Sequence, residues 1–402
     1  MFKRFSRLKR SKKKEPEQTS PSPEPEEISH NEPDAQVSFV DVLPRDNQFP
    51  LRGPKKRFAD SIEVNLQTLR QLLQDDNLVF EQLLVGSRSR RRVVIAYLKD
   101  LAHPGIVGEV KDRLRAIRTE SVIGTSYIER NIENSNLSPF PQVETTPRPD
   151  VVESGLLQGR VAILTDGSSE ALLAPTTFFD LMDTPEDVHT RWFVAASFFR
   201  AARYIMFMLA ASLPAFYIAL STFNPEFLPT RVAFLIARAR GGAPFPIYAE
   251  AFIMMGVVEA VRLMMIRIPT QLGAAIALFS GLALIIAGLY ANIVTPVVLM
   301  VVTLTIICSF GIPNFDLRTS VRIIQFITMI MATFLGIFGY ALAFFYVSAH
   351  LVTLKSFGIP YMTPLAPLEL SGWGHTVARR SSEVMPQDET YKPRSTKDDE
   401  ES

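Results

Sequence analysis

The hydrophobic and polar positions of this 402-residue chain change their pattern near residue 203. Before that point charges occur throughout and apolar runs are short, as in a soluble domain. From 204 to 357 the chain consists mostly of apolar stretches close to the roughly 20 residues that a bilayer-spanning helix needs. The pattern predicts a polytopic α-helical membrane protein with an N-terminal soluble α/β domain.

The soluble α/β domain is predicted to span 58–203. SIEVNLQTLRQLL repeats apolar residues at helical spacing, and HPGIVGEVKDRLRAI predicts a second helix. RRVVIAYLKDL is a β-branched and aromatic run typical of a strand. GRVAILTDGSSEALLAP predicts two strands joined by a turn at Asp166-Gly167. The proline-rich stretch at about 134–150 is predicted to link two subdomains.

Both ends of the chain are polar. MFKRFSRLKRSKKK is followed by a Pro/Glu/Ser tract and not by an apolar h-region, so no signal peptide is predicted. Such a composition cannot bury enough apolar surface to fold, which predicts a disordered basic and Pro/Glu-rich arm over 1–57. Its basic cluster either binds anionic lipid or is simply solvated. Residues 358–402 are predicted to form a tail that is disordered after about 370.

The apolar part, 204–357, is predicted to form a membrane domain of about five helices. These helices are predicted at 204–223, 247–268, 272–291, 294–312 and 326–354. A further segment, 231–242, contains Arg238 and Arg240 and is predicted to lie at the membrane interface. Five crossings would place the termini on opposite sides, whereas an embedded 231–240 would return the C-terminus to the cytoplasm. The distribution of arginines does not decide whether the number of membrane crossings is odd or even.

The second predicted membrane helix contains four ionisable residues, Glu250, Glu259, Arg262 and Arg267. Glu259 and Arg262 are one turn apart on one face and are predicted to pair. Glu259 lies roughly 18 Å into the segment, near its middle, whereas Glu250 lies near an end that headgroups or water can reach. An unpaired charge at the bilayer centre costs about 2.5–3.5 kcal/mol. Glu259 is therefore either a functional group facing a cavity or half of a structural ion pair.

The third predicted helix carries small residues along one face, namely Gly273, Ala277, Gly281 and Gly288. Small residues let helix backbones approach closely, and such packing drives association in lipid. We therefore expect this face to pack against neighbouring helices or against a second copy of the chain.

Composition and motifs favour a protein that is not an enzyme. The chain contains no Walker loop, no GxGxxG after a strand and no G-x-S-x-G elbow, and its five histidines have no partners at metal-ligand spacing. The single cysteine, Cys308, lies in an apolar run and is expected to behave as a small apolar residue. We predict no catalytic residues, no metal, no cofactor and no nucleic-acid partner.

A run of motifs resembles the A subunits of spore germination (GerA-type) receptors, which are integral membrane proteins of endospore-forming bacteria. The run comprises FPQVETTPRPDVVESGLLQGRVAILTDGSSEALLAPTTFFD, PEDVHTRW, LPAFYIALSTFNPEFLPT, APFPIYAEAFIM, RIPTQLG and HLVTLKSFGIPYMTPLAP. In this order the motifs cover roughly 60–367, about three-quarters of the chain.

The resemblance implies a nutrient germinant receptor in the spore inner membrane. The A subunit would form a homo-oligomeric ring that conducts ions, with a transporter-like B subunit, a lipoprotein C subunit and membrane lipid as partners. The soluble domain would lie on the core or cytoplasmic side. Two alternatives stay open: a GerA-like accessory protein for dipicolinate release, and a secondary transporter with a midplane site.

Overall fold

The computed structural model describes residues 56–135, 137–184, 193–267, 270–368 and 391. For 193, 266, 267, 270–274 and 277 it describes the backbone alone. Apart from residues 56 and 57, the predicted arm therefore lies outside the described residues. So does the predicted disordered tail, apart from residue 391.

One antiparallel sheet organises the N-terminal part of the described chain. Its strands are β1 (Leu78–Val85), β2 (Arg91–Leu98), β3 (Glu144–Thr146), β4 (Val161–Thr165) and β5 (Ala171–Ala174). In space they lie in the order β1-β2-β4-β5-β3, and every neighbouring pair is antiparallel. All five residues of β4 are buried, because both faces of the sheet are covered.

Helices cover the two faces of the sheet in two separate layers. The helices of this domain are α1 (Ile62–Leu72), α2 (Pro104–Ala116), α3 (Thr125–Ile132), α4 (Pro149–Leu157) and α5 (Phe178–Met182). On one face Val93 and Ile95 of β2 pack in a core with α2 and α3. On the other face Val94 and Ala96 pack in a core with α1 and α4. Successive side chains of β2 point to opposite faces of the sheet, so this strand contributes to two separate cores.

The predicted linker over 134–150 is wrong. This stretch contains β3, which pairs with β5 from Glu144 opposite Leu173 and so forms an edge of the same sheet. Pro149 at its end occupies the first turn of α4, a position where proline is favoured. The domain is a single three-layer unit.

The C-terminal part is a bundle of apolar helices. They are α6 (Phe193–Thr222), α7 (Thr230–Ala239), α8 (Ile247–Arg267), α9 (Thr270–Tyr290), α10 (Pro296–Phe310) and α11 (Phe315–Thr353). Among the described residues, Val194–Thr222 and Phe315–Thr353 are the two helices that are long and apolar enough to cross a membrane. In α7, only Ile236 is buried.

The last helix, α11, doubles back on itself at Gly336. Gly336 has φ 61° and ψ −139°, a conformation outside the helical region that is essentially restricted to glycine. Without a break, Ser320 and His350 would lie about 45 Å apart. Yet the Ser320 hydroxyl donates to the carbonyl of Pro139, and the adjacent Ser138 hydroxyl lies 2.9 Å from His350 Nε2. The chain therefore rises through 315–335 and returns through 337–353.

This reversal corrects the predicted fifth helix at 326–354. The helix begins eleven residues earlier, at Phe315, where the Asn314 side chain accepts hydrogen bonds from the backbone N–H groups of Asp316 and Leu317. Its two halves are antiparallel because the backbone leaves the helical conformation at Gly336, which lies against Phe223, just after the end of α6. A glycine within an apolar run gives no sequence signal that separates a tolerated helical glycine from a chain reversal.

After α11 the chain returns into the α/β domain through a short hairpin of β6 (Lys355–Ser356) and β7 (Ile359–Pro360). Phe357, at its turn, has φ 46° and is buried in the core formed with α2 and α3. The guanidinium of Arg113 lies 4.3 Å from the centre of its ring. The Ser356 hydroxyl donates to the carbonyl of Gln142 at 2.6 Å. This hairpin, predicted to be shared between the membrane domain and a tail, belongs to the α/β domain.

Replacing Gly336 by alanine should destabilise the bundle. A Cβ at this position would lie 2.8 Å from Phe223 Cβ, and a positive φ costs a non-glycine residue on the order of 1–3 kcal/mol. We expect Gly336→Ala to lower the melting temperature of the detergent-solubilised protein. Gly256→Ala is the matched control, because a Cβ there would have no other atom within 4 Å and alanine favours a helix. Equal melting of the two variants would contradict the reversal.

Candidate functional site

Glu250 is fully buried at the start of α8. Its Oε2 accepts hydrogen bonds from the backbone N–H of Thr295 at 3.2 Å and from the Thr295 hydroxyl at 2.9 Å. Thr295 is the N-cap of α10, so the carboxylate lies at the positive end of that helix. The expectation that headgroups or water reach Glu250 is wrong. Val294 and Val297, around the start of α10, pack with Ile247 and Ala251 of α8 in one core and cover this end of the helix.

Glu259 joins two helices of the bundle. Its Oε2 accepts from Arg262 Nη1 on the same helix at 3.2 Å, as the one-turn spacing predicts. Its Oε1 accepts from Arg322 Nη1 on α11 at 2.8 Å. Arg322 also donates from Nη2 to the Thr319 hydroxyl at 2.6 Å. The carboxylate thus ties α8 to the first half of α11. Its side chain is 29% exposed, so Glu250, not Glu259, is the more buried of the two.

A third arginine lies beside this ion pair. Arg318 is one turn before Arg322 and donates from Nε and Nη2 to the carbonyl of Ile312, at 3.2 and 2.6 Å. Its guanidinium also lies 5.9 Å from the centre of the Phe310 ring. Two arginines, Arg262 and Arg322, thus bind the carboxylate of Glu259, and Arg318 adds a third positive charge one turn from Arg322. The excess of positive charge suits attraction of an anion or of a negatively charged partner group.

Sequence reasoning did not select Arg322 as a site residue. Arg318 and Arg322 lie four residues apart where an apolar helix begins, which is the signal that could have identified them. The predicted start of that helix at residue 326 placed both arginines outside it. The partner of Arg322, Glu259, is 63 positions away in the chain. Only the packing of α8 against α11 brings the two together.

The remaining predicted site residues are Arg267 and the small residues along one face of α9. The side chains of Arg267, Gly273 and Ala277 lie outside the described part. Gly281 faces open space, with no atom within 4 Å of where a Cβ would lie, and a Cβ at Gly288 would meet Val294 at 3.6 Å. The small-residue face therefore does not pack against another helix of this chain at Gly281. Packing against a second copy stays a prediction. Among the described residues, no group of three or more His, Cys, Asp or Glu side chains is arranged to hold a metal.

Carboxylates gather where the α/β domain meets the start of α11. Burial first, and then the carboxylates of Asp316 and Glu133, raise the pKa of Glu129 to about 8. The Thr145 hydroxyl donates to Glu129 Oε1 at 3.2 Å and opposes that shift. Burial also raises the pKa of Glu133, although the backbone N–H of Gln142 donates to its Oε1 at 3.0 Å. This contact between domain and bundle therefore changes charge near neutral pH.

Comparisons with known proteins place the chain among germination proteins. The family described as "Bacillus/Clostridium GerA spore germination protein" matches residues 44–391. Spore germination protein GerLA of Bacillus cereus is 36% identical over 355 residues, which cover 86% of this chain and 72% of the relative. Spore germination protein KA of Bacillus subtilis (strain 168) is 35% identical over 347 residues, covering 86% of this chain and 61% of the relative.

One match is to a solved structure. It is the crystal structure of the N-terminal domain of the A subunit of the Bacillus megaterium spore germinant receptor GerK3. The identity is 35%, with 31% of this chain and 98% of that chain covered and a TM-score of 0.26. This chain spans between 61% and 72% of the length of the two germination proteins it matches.

Replacing Arg322 should cost more stability than replacing Arg262. Arg322 is the closer partner of Glu259, at 2.8 against 3.2 Å, and its side chain is 15% exposed compared with 23% for Arg262. Removing one member of a partly buried ion pair should lower the free energy of unfolding by an amount between two limits. These are about 1 kcal/mol, as for exposed pairs, and about 3 kcal/mol, as for buried ones. We expect Arg322→Gln to lower the melting temperature more than Arg262→Gln does. The reverse order would contradict the bridge between α8 and α11.

Glu129→Gln should stabilise the protein increasingly between pH 5 and pH 8. In that window the folded protein keeps a proton on Glu129 that the unfolded chain has released, so the free energy of unfolding falls as the pH rises. The glutamine variant does not titrate, so its free energy of unfolding does not fall in this way. The difference from wild type should be on the order of 1–3 kcal/mol at pH 8. Melting curves across the window test this prediction.

Glu81→Gln is the control for this titration. Hydrogen bonds from Lys111 and Tyr97 lower the pKa of Glu81, so its titration lies below the window. Its melting temperature relative to wild type should stay constant between pH 5 and pH 8. A parallel pH dependence in Glu129→Gln and wild type would show that Glu129 does not titrate there.

Proposed function

Since the chain belongs to the Bacillus/Clostridium GerA family of spore germination proteins, we propose that it acts as an A-type subunit of a nutrient germinant receptor in the spore inner membrane. The family match over 44–391 is the observation that carries the proposal. The apolar bundle with its internal Glu259–Arg322 pair supports a role within a membrane.

The bundle fits six membrane crossings. These are α6, α8, α9, α10 and the two halves of α11, each half taken on its own side of Gly336. An even number returns the C-terminus to the side of the α/β domain. Two contacts support this arrangement: Arg200 at the start of α6 lies 3.1 Å from Asp183, and the hairpin after α11 is buried in the same domain. The α/β domain would lie on the spore-core or cytoplasmic side.

Homo-oligomerisation accounts for faces of the bundle that have no partner within the chain. Around Gly281 the exposed apolar residues of α9 are Leu278, Phe279, Leu282 and Leu284. A second copy would bring a helix against the small Gly281, where backbones can approach closely. In the proposed receptor a ring of such copies conducts ions, and a transporter-like B subunit and a lipoprotein C subunit complete the complex.

The proposal predicts that this subunit controls ion release at the start of germination. Dormant spores lacking the gene, exposed to a nutrient mixture, should release potassium late or not at all, and the wild-type gene should restore release. A gene with Arg322→Gln should restore it incompletely, because Glu259 loses its contact with α11. Glu120→Gln is the control, as this glutamate is exposed in the α/β domain. It should restore full release.

Two outcomes would argue against the receptor role. Normal potassium release with delayed release of dipicolinate would favour the accessory alternative. The second outcome is normal release of both potassium and dipicolinate from the deletion strain with every nutrient that triggers germination of wild-type spores. This result would contradict the proposal.

A further inference from the structure

Three arginines of the bundle form a cluster with a surplus of positive charge. Arg262 of α8 and Arg322 of α11 both bind the carboxylate of Glu259, at 3.2 and 2.8 Å. Arg318 lies one turn before Arg322, on the same face of α11. Glu259 neutralises one of the three guanidinium groups, so the arginine cluster keeps two positive charges.

The helices around the arginine cluster offer it no second carboxylate. Along 247–353 the sequence has two acidic residues besides Glu259, namely Glu250 and Asp316. Glu250 lies nine positions before Glu259 and is bound at the start of α10. Asp316 lies two positions before Arg318 and therefore on nearly the opposite face of α11. The two remaining positive charges can be balanced from outside the bundle.

Several N–H groups of the arginine cluster have no acceptor among the described residues. An arginine side chain has five such groups. Arg262 donates one hydrogen bond, from Nη1 to Glu259. Arg318 donates from Nε and Nη2 to the carbonyl of Ile312, which leaves Nη1 and carries only the partial negative charge of a helix end. Arg262 and Arg318 are both partly exposed. A phosphate group suits them, because guanidinium groups bind its oxygens in pairs.

The arginine cluster lies at the level where the bundle meets the α/β domain. Ser320, between Arg318 and Arg322 in the chain, donates to the carbonyl of Pro139 in that domain. α8 and α10 end near this level, and α11 begins there. In the membrane placement proposed above, this level corresponds to the lipid headgroups on the spore-core or cytoplasmic side. Anionic lipids give the cytoplasmic leaflet its negative surface potential.

Exposed apolar side chains flank the arginine cluster. Leu263 on α8 and Ile323 on α11 each follow one of its arginines in the chain and are 58% and 46% exposed. The ring of Phe310, which is 65% exposed, has its centre 5.9 Å from the guanidinium of Arg318. Lipid acyl chains would cover these side chains while the lipid phosphate contacts the arginines. A small soluble anion would leave them uncovered.

We propose that Arg262 and Arg318 bind the phosphate of an anionic phospholipid, with Arg322 supplying positive charge beside them. Basic sites between helices at the cytoplasmic side of a membrane are suited to such headgroups. A zwitterionic lipid fits less well, because it brings its own ammonium group toward two positive charges that are not neutralised. The inference rests on the membrane location within the proposed function, and not on the control of ion release.

The test is the thermal stability of the purified full-length protein in a non-ionic detergent. Melting temperatures are measured with increasing phosphatidylglycerol, and in parallel with phosphatidylcholine that has the same acyl chains. Because a ligand that binds only the folded state stabilises it by mass action, phosphatidylglycerol at about a hundredfold excess over Kd should raise the melting temperature by roughly 3 °C. Phosphatidylcholine should raise it less. Equal shifts with the two lipids would overturn the proposal.

Inorganic phosphate distinguishes a lipid from a free anion. It is added without lipid, in exchange for chloride at constant ionic strength, and should leave the melting temperature unchanged. A rise as large as the one with phosphatidylglycerol would show that the arginine cluster takes a free anion, and would overturn the assignment to a lipid.

Variants locate the effect. Arg318→Gln leaves the Glu259 ion pairs in place and should raise about tenfold the phosphatidylglycerol needed for half of the shift. Arg318→Lys keeps the charge without the planar fork and should fall between the glutamine variant and wild type. Arg262→Gln should also weaken binding, and it decides the question if Arg318→Gln does not fold, because the Glu259–Arg322 pair remains. Arg88→Gln, in an exposed part of the α/β domain, is the control and should respond as wild type.

An unchanged lipid response in both Arg318→Gln and Arg262→Gln would place any bound lipid elsewhere and overturn the site. The readout is lipid binding by the purified protein. Its failure therefore leaves the potassium-release experiment unaffected, and a failure of potassium release in spores leaves the lipid response unaffected.

Discussion

The path of the last helix, and with it the return of the chain to the α/β domain, depends on the close approach of Gly336 to Phe223. A side chain larger than hydrogen at 336 would meet Phe223, and the backbone conformation there is unfavourable for residues other than glycine. This contact turns a 39-residue helix into two antiparallel halves. As a result Ser320 and His350 both reach the loop at 138–140 of the α/β domain. A straight helix would send the C-terminal hairpin about 45 Å away from that domain.

The two carboxylates of α8 have different surroundings. Glu250 lies where α8 begins, sealed by the start of α10 and offered donors by Thr295. Glu259 lies nine residues further along α8 and is partly exposed, with two arginines as partners. The position of a glutamate along α8 therefore does not determine how far its side chain is buried. Neighbouring elements, and not distance from the helix end, decide which carboxylate is withdrawn from water.

Several features were readable from the sequence because they depend on local pattern. The family resemblance was one, and the match over 44–391 confirms it. The pairing of Glu259 with Arg262 was another, because one turn of helix fixes that contact whatever surrounds it. The strand at Arg91–Leu98 and the helix at Pro104–Ala116 have β-branched and amphipathic patterns of their own. In each case neighbouring residues carry the information.

Features that depend on contacts distant in sequence were missed. The edge strand β3 is only three residues long, and it acquires strand character by pairing with β5. Phe357 follows an apolar helix, and nothing in its neighbourhood indicates that it fills a core built from α2 and α3. The burial of Glu250 follows from the α9–α10 loop, 45 positions away. These contacts exist only once the bundle and the domain have assembled.

The contacts of α11 between Arg318 and Arg322 explain how the α/β domain and the bundle can act on each other. Within just over one turn, Arg318 holds the end of α10, Ser320 holds the domain through Pro139, and Arg322 holds α8 through Glu259. Residues two positions apart lie on nearly opposite faces of a helix, so Ser320 and Arg322 contact different neighbours. One turn of α11 therefore carries the contact with the α/β domain, through Ser320, and the contact with Glu259 of α8, through Arg322. The α/β domain and the Glu259 ion pair are joined through a single turn of helix.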